Sequence, residues 1–462
     1  MCGIAAVLLG PDRARLGNDE TRALLEPMTR ALEHRGPDGE AFFYGERAAL
    51  GHRRLAILDL VTGDQPIASA DGRIQVCFNG EIYNHKELRR ELEGRGHRFR
   101  TRSDTEVLVH GFLEWGEALP ARLSGMFAFF AHDTTSGRTL CARDPLGKKP
   151  LYYTLRDGLL LLASEVKACL ALPGMPRRID GKALRELLAL RYVPGPGTLL
   201  EGYFELPPGT QALHEPGQEI RPRTYWTPGF DRASGGTPGE AARELRELFA
   251  RCVTDRLEAD VPLGAFLSGG VDSSGVVAAM SRSSPVKAVT VGFAESAYDE
   301  LPHARAFASR FALELHEEVL RPAPVDDLWH LAGIFDLPLT DSSIWPTWLV
   351  CKAARRHVKV ALSGDGADEN FAGYRRYRFD LLEQRLRRFV SGGLARLLAR
   401  VLPKGDWLPR PLRLKRTLEN LTHDPATAYF RSVSALLPEE VDAMLLPEVG
   451  EGADPFEKLR EV

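Results

Sequence analysis

The chain opens on an unbroken apolar run, Gly3-Ile4-Ala5-Ala6-Val7-Leu8-Leu9, and continues in short β-like stretches punctuated by glycine at residues 74–78, 125–131, 139–142, 151–155 and 159–163. Between them, apolar residues recur at helical spacing over residues 21–34, 86–93 and 104–115. This mixture predicts an α+β unit whose strands come largely from hairpins. Residues 194–239 then turn sharply toward proline and glycine, which predicts a hairpin followed by a linker. From Glu240 the rhythm changes to long helical patterns alternating with apolar strands at 262–267, 287–291 and 358–362. Strand and helix in alternation predict βαβ units around a parallel sheet. No internal repeat or extended low-complexity segment interrupts either half.

Composition narrows this picture without redrawing it. At 462 residues the chain suggests about two to four domains. Its 44% hydrophobic and 27% charged residues are ordinary for a soluble globular protein, and its formal charge of -3 offers no attraction to nucleic acid or membrane surfaces. Small molecules are the expected partners. Cys2, Cys77, Cys141, Cys169, Cys252 and Cys351 form no CxxC pair, which argues against a disulfide framework or zinc site and suits a reducing cytoplasm. The first residues lack the basic start of a signal peptide, and no apolar run approaches a membrane span.

Candidate chemistry begins at Cys2. On position alone, a buried strand residue is the simpler reading. Removal of Met1, however, would leave one residue carrying a thiol and its own α-amine, which titrates at roughly pH 7.7 to 8.0. That amine can take the thiol proton directly or through a water. Asn79-Gly80-Glu81, after the strand at 74–78, offers an amide and a backbone N–H for an oxyanion and a carboxylate for an ammonium, although Asn-Gly is also a common hairpin turn. Arg54 could grip a carboxylate in bidentate fashion, or lie solvated on the surface. Asp104 could meet the same ammonium, or cap the helix that follows it.

Together these pieces suit an amino acid with an α-carboxylate, an α-ammonium and a side-chain amide. Cys2-Gly3-Ile4, His34-Arg35-Gly36-Pro37-Asp38-Gly39, Gly51-His52-Arg53-Arg54-Leu55, Phe78-Asn79-Gly80-Glu81-Ile82-Tyr83-Asn84 and Ser103-Asp104 resemble the class II glutamine amidotransferases. The resemblance implies an N-terminal-nucleophile αββα sandwich with Cys2 as nucleophile. It also implies Asn79 and Gly80 as the oxyanion hole, with Arg54, Glu81 and Asp104 as glutamine ligands.

A second motif follows the strand at 262–267. Ser268-Gly269-Gly270-Val271-Asp272-Ser273-Ser274 combines a strand end, a glycine turn and a helix start, aiming unpaired backbone amides at one point. It lacks the GK[ST] ending of a γ-phosphate P-loop and resembles the PP-loop of enzymes that split ATP between its α- and β-phosphates. Farther on, Ser363-Gly364-Asp365-Gly366-Ala367-Asp368-Glu369 crowds three carboxylates into a short loop, which suits Mg²⁺ held with pyrophosphate. The alternative is a solvated acidic turn.

A class II glutaminase followed by a PP-loop domain resembles the glutamine-hydrolysing asparagine synthetase family. Further matches are Arg143-Asp144-Pro145-Leu146-Gly147-Lys148-Lys149-Pro150-Leu151-Tyr152-Tyr153, Ser164-Glu165-Val166-Lys167 and Asp341-Ser342-Ser343. The resemblance implies a glutaminase domain over residues 2–205, a hairpin and linker over 206–239, and an ATP-pyrophosphatase domain over 240–462. It also implies ATP at Leu267, Ser268, Gly269, Gly270, Asp272, Ser273, Val291, Ser363 and Gly364, with Mg²⁺ near Asp272 and Asp368. The implied reaction forms asparagine from aspartate, glutamine and ATP through a β-aspartyl adenylate. Residues 380–462 lack the family's lysine-bearing Lys-Val-Asp-Arg-like motif, so a C-terminally truncated chain is expected. Another acceptor carboxylate, closure of a β-lactam, a chain that binds ATP without completing synthesis, and a homodimer all stay open at this point.

Overall fold

The computed structural model describes residues 1–10, 13, 15–229, 235–293, 300–320, 325–338, 340–341, 343–402, 415–446, 449 and 453–460. The chain forms two compact units. One comprises Met1–Arg178, Gly195–Leu337 and Ser342–Ser363; the other comprises Ile179–Pro194, Pro338–Asp341 and Gly364–Val462.

In the first unit, twelve strands build two antiparallel sheets. They are β1 (Gly3–Leu9), β2 (Gly39–Tyr44), β3 (Ala48–Arg54), β4 (Ile67–Ala68), β5 (Ile74–Ile82), β6 (Gly125–Asp133), β7 (Thr139–Arg143), β8 (Tyr152–Arg156), β9 (Leu159–Ala163), β10 (Tyr203–Glu205), β11 (Thr210–His214) and β12 (Arg223–Thr224). The sheet orders are β10-β8-β9-β1-β3-β2 and β12-β11-β7-β6-β5-β4. Strand alternation divides their side chains among three cores. Ile4, Ala6 and Leu8 of β1 meet Cys77, Ala128, Phe130 and Cys141 between the sheets. Ala5, Val7 and Leu9 face the opposite way, onto Leu25, Met28 and Leu32 of the helix Asn18–Arg30 and its exit. Phe78, Ile82, Phe127 and Phe129 pack on Val107 and Leu108 of the helix Glu106–Trp115. Helix, sheet, sheet and helix therefore stack in four layers, the αββα sandwich expected from the sequence. The Pro/Gly-rich hairpin region also enters this body, since β11 pairs with β7 and carries β12 at the sheet edge.

The same unit carries a parallel sheet of β13 (Leu263–Phe266), β14 (Lys287–Phe293), β15 (Glu314–Leu320) and β16 (Val360–Leu362), in the order β15-β14-β13-β16. The chain moves outward from β13 to β15, then returns to place β16 on the other side of β13. That reversal makes a topological switch point between the C-terminal ends of β13 and β16, where open α/β sheets bind ligands. Leu267 and Ser363 stand at those two ends.

The two sheet systems are stitched by polar contacts. The Asp59 N–H donates to Asp260 Oδ2 (2.8 Å), and the Asp260 N–H donates to Ile57 O (2.9 Å). Glu258 accepts from both Lys86 (2.8 Å) and His85 (3.2 Å), and Lys359 pairs with Asp38 (2.6 Å). The Asp336 carboxylate accepts the backbone N–H groups of Val166 and Lys167 at the start of the helix Val166–Leu170.

The second unit is helical. It gathers Ala189, Leu190, Val441 and Phe456 into a small core, and Arg387 donates to the carbonyls of Asn420, Leu421 and His423. No helix among the described residues is long and apolar enough to cross a membrane.

Candidate active sites

Cys2 sits immediately before β1, half-buried, with its Sγ facing the backbone of Leu55 just past β3. The Leu55 N–H donates to Sγ at 3.4 Å, and Sγ lies 3.8 Å from Leu55 O. Burial pushes the thiol above its ordinary range, opposed by the Leu55 contact. The backbone around Cys2 is tightly held. Ile4 exchanges bonds with Ser164 through its N–H (3.0 Å) and carbonyl (2.9 Å), while Arg35 Nε donates to Cys2 O (3.0 Å). Burial alone would raise the Glu165 carboxylate, yet His34 and Arg35 hold it down at about 2. The α-amine of Met1 is buried, which presses it down to about 5 and leaves it neutral at pH 7.

A cleft beside Cys2 is lined by Arg54, Leu55, Gln65, Phe78, Gly80, Glu81, Ser103 and Asp104, among others. It thus collects the sequence-predicted glutamine residues from the ends of β3 and β5 and from the start of a helix. Asn79 lies beneath this wall, fully buried, and neither its Nδ2 nor its Oδ1 has a hydrogen-bond partner among the described residues. Alternation along β5 points it into the same inter-sheet space as Cys77. An unsatisfied buried amide costs about 1–3 kcal/mol, a cost a bound oxyanion would relieve. Gly80 is equally constrained, because a Cβ there would stand 2.1 Å from Met126 O and 2.8 Å from Phe127 Cα.

Glu81, half-buried, and Asp104, buried, share the cleft as two carboxylates. Burial first, then the neighbouring Asp104, raises Glu81 well above the usual carboxylate range. Asp104 is also raised by burial, against the pull of the Ile82 N–H at 2.9 Å. A pair in this condition favours a cation between them. Arg54 is placed at the cleft but is already engaged. Its guanidinium bonds Asp59 O (2.6 Å), Leu58 O (3.3 Å) and Asp64 Oδ1 (2.7 Å). Asp64 is 80% exposed, so it can swing away and yield its place to a substrate carboxylate.

At the second site Ser268, Gly269 and Gly270 link β13 to the helix Val271–Met280. Gly269 adopts φ +81, and a Cβ there would meet His303 Cβ at 2.6 Å and Ala304 N at 2.8 Å. Ser268 Oγ and Ser273 Oγ bond each other (2.9 Å), and Ser268 Oγ accepts the Gly270 N–H (3.2 Å). No side chain caps the helix, which leaves its first amides directed outward. Asp272 lies exposed in that first turn, and Val291 lies on the neighbouring β14. Gly364 and Asp368 belong to the second unit, where Glu369 is engaged by the Tyr374 hydroxyl at 2.6 Å. Ser342 lies outside the described residues. The described residues contain no cluster of three His, Cys, Asp or Glu side chains fit to hold a metal.

The fold defines a class: an N-terminal αββα sandwich of the amidotransferase kind followed by a domain of parallel sheet. A family profile for a glutamine amidotransferase domain matches residues 1–226, and one for asparagine synthase matches residues 244–460. The chain belongs to the glutamine-hydrolysing asparagine synthetase family. It is 36% identical over 409 residues to asparagine synthetase [glutamine-hydrolyzing] 1 of Bacillus subtilis, covering 88% of this chain and 64% of that protein. To putative asparagine synthetase [glutamine-hydrolyzing] 2 of Methanocaldococcus jannaschii it is 32% identical, covering 83% and 78% respectively. Amidase chyE of Penicillium rubens is 32% identical, with 83% and 61% covered. A solved glutamine PRPP amidotransferase from B. subtilis aligns over 69% of this chain and 81% of its own at 14% identity and a TM-score of 0.37, too slight a likeness to carry an argument. The chain thus spans about two thirds of the length of the Bacillus relative.

Arg35, Glu165, Lys149 and Gln65 surround the nucleophile without having been assigned a role from the sequence. Gln65 accepts the Phe78 N–H (2.7 Å) and reaches Thr105 (3.3 Å), bracing the cleft wall. Each of the first three lies within a motif already noted, but only burial and neighbours give it a task.

Proposed function

We propose that this chain hydrolyses glutamine at Cys2 and uses ATP to amidate a carboxylate with the ammonia released, aspartate being the acceptor. The observation that carries this reading is the convergence of Cys2, Arg54, Gly80, Glu81 and Asp104 on one cleft, with the unpaired amide of Asn79 beneath it. Excision of Met1 would transfer the α-amine to Cys2, where a neutral amine can accept the thiol proton. The thiolate attacks the glutamine amide carbonyl, Asn79 and the Gly80 N–H take the oxyanion, and ammonia leaves as the glutamyl thioester forms. Water then cleaves the thioester to glutamate. Arg54 would hold the α-carboxylate, and Glu81 with Asp104 the α-ammonium.

At the second site, Ser268, Gly269, Gly270 and Ser273 would receive ATP phosphates on backbone amides and hydroxyls, with Leu267, Val291 and Ser363 around the nucleotide. The acceptor carboxylate attacks the α-phosphate, pyrophosphate departs, and ammonia displaces AMP from the acyl adenylate. Asp272 suits a magnesium ion that is held chiefly by phosphates, because such sites need only one or two carboxylates. The ion would supply charge stabilisation to the departing pyrophosphate. Pyrophosphate release that requires ATP, glutamine and aspartate together supports this reading. Release indifferent to aspartate but stimulated by another acid would support a different acceptor, as the similarity to an amidase also allows.

One prediction isolates the ammonium pocket. Glu81→Gln is expected to raise the KM for glutamine by about thirtyfold, the equivalent of about 2 kcal/mol for a bond to a charged group, with a smaller change in kcat. Because Glu81 and Asp104 ionise above the usual range, binding of the ammonium releases a proton in the wild-type protein. Its kcat/KM for glutamine should therefore climb as pH rises through that raised range, and steady-state rates from pH 5 to 8 will show the limb. Glu81→Gln should weaken that pH dependence.

A further inference from the structure

The segment that joins the helix Pro238–Asp255 to β13 lies against the chain just past β5 and just past β3, the two strands whose ends wall the Cys2 cleft. On the β5 side, Arg256 stands over the Tyr83 ring at 4.2 Å from its centroid, and Glu258 accepts from Lys86 (2.8 Å) and His85 (3.2 Å). On the β3 side, Asp260 makes two bonds to one turn. Its Oδ2 accepts the Asp59 N–H (2.8 Å), and its own N–H donates to Ile57 O (2.9 Å), so it brackets Leu58. Ile57 and Leu58 line the cleft together with Arg54, Leu55 and Gly63. Asp260 itself is exposed, so its carboxylate serves this turn and no core.

Asp59 shows why the turn needs holding. It is buried and adopts φ +48, a left-handed conformation that a residue other than glycine keeps only where its neighbours fix it. Its carbonyl accepts from Arg54 Nη2 (2.6 Å), and its carboxylate accepts the N–H groups of Thr62 (2.9 Å) and Arg102 (2.7 Å), the latter next to Ser103 of the cleft. Asp260 thus holds the N–H of the residue whose C=O holds Arg54. One residue farther back, the Ala56 N–H donates to Asp38 Oδ2 (2.9 Å), which also pairs with Lys359 (2.6 Å) immediately before β16. The turn is therefore secured from the N-terminal ends of β13 and β16, opposite the ends where Leu267 and Ser363 stand. We propose that Asp260 is a positioning residue of the glutaminase, which fixes the Ile57–Asp59 turn and so presents Arg54 to the α-carboxylate of glutamine. Asp260 lies in the half of the chain that matches asparagine synthase, so that half supplies part of the support of the glutamine site.

The inference rests on the proposed glutaminase, and the test separates the two. Glutamate release is measured against glutamine concentration in the full chain with Met1 excised. Asp260→Ala should raise the KM for glutamine by about tenfold and leave kcat within about threefold of wild type, because the turn that orients Arg54 loosens while Cys2 keeps its own contacts. Asp260→Asn retains a carbonyl oxygen for the Asp59 N–H and should return the KM close to the wild-type value. Should Asp260→Ala not fold, Asp260→Glu decides, since it keeps the charge but displaces the acceptor by one methylene; its KM should rise by about threefold. A merely structural aspartate predicts activity lost in proportion to folded protein, with KM unchanged. That result overturns the proposal while the glutaminase assignment stands, as does an Asp260→Asn chain no better than Asp260→Ala. A folded wild-type chain that does not hydrolyse glutamine overturns both.

Discussion

Cys2→Ala is expected to reduce glutamine hydrolysis by roughly 10⁴-fold or more, as removal of a covalent nucleophile does elsewhere. Ammonia-driven pyrophosphate release should survive in any preparation that shows it before mutation. The structure makes the substitution clean. Ile4 and Ser164 clamp the backbone beside Cys2, and Arg35 holds its carbonyl. The stability cost should be about 1 kcal/mol or less. Glutamate production measured with glutamine alone, and pyrophosphate release measured with ammonium salt, read the two sites separately. Persistent glutaminase activity in Cys2→Ala would place the nucleophile elsewhere. A chain that retains Met1 should be equally inactive, because the nitrogen of Cys2 is then a peptide amide without a basic lone pair.

Gly269→Val is expected to be the mirror experiment. It should weaken ATP binding by about a hundredfold or more while leaving glutamine hydrolysis within a few-fold of wild type. Two penalties combine at this position. The backbone holds φ +81, which a β-branched residue resists, and the added Cβ would approach His303 Cβ and the backbone nitrogen of Ala304 closer than 3 Å. Backbone cannot rotate aside as a flexible side chain can, so the loop itself must move and its outward amides lose their common aim. Titration with ATP by calorimetry checks the first expectation and glutamate release the second. Wild-type ATP affinity in a folded Gly269→Val protein would move the nucleotide away from this loop.

These two substitutions also show where sequence reading had reach. The strands β5, β6, β7, β8 and β9 and the helix His85–Gly94 follow from apolar periodicity, because each buries one face against a neighbouring layer. β2 and β3 escaped that reading. Residues 51–54 of β3 carry histidine and two arginines, a composition that suggests surface, yet His52, Arg53 and Arg54 are all buried. Their polar ends are satisfied by Phe78 O, Glu40 and Asp64, partners read only from the fold. Arg54 illustrates the consequence. A guanidinium at the cleft was foreseeable, but its occupation by Leu58, Asp59 and Asp64 was not.

The second site divides in the same way. A strand, two glycines and a helix start are contiguous, so Ser268 to Ser273 is legible as a strand–turn–helix junction. The return of β16 to the side of β13, which creates the switch point, depends on strand pairing between residues about a hundred positions apart.

From the sequence alone came the change from hairpin strands to alternating strand and helix, the ordered motifs that begin at Cys2, and the strand–glycine–helix turn at Ser268–Ser273. Those signals are local, since periodicity, glycine backbone freedom and contiguous motifs act over a few residues. Only the tertiary structure decided that Glu81 and Asp104 crowd one cleft, that Arg35, paired with Glu165, holds the Cys2 carbonyl, and that Lys149 lies buried. Burial and electrostatic neighbourhood are sums over segments remote in the chain, and those sums exist only once the sheets have stacked.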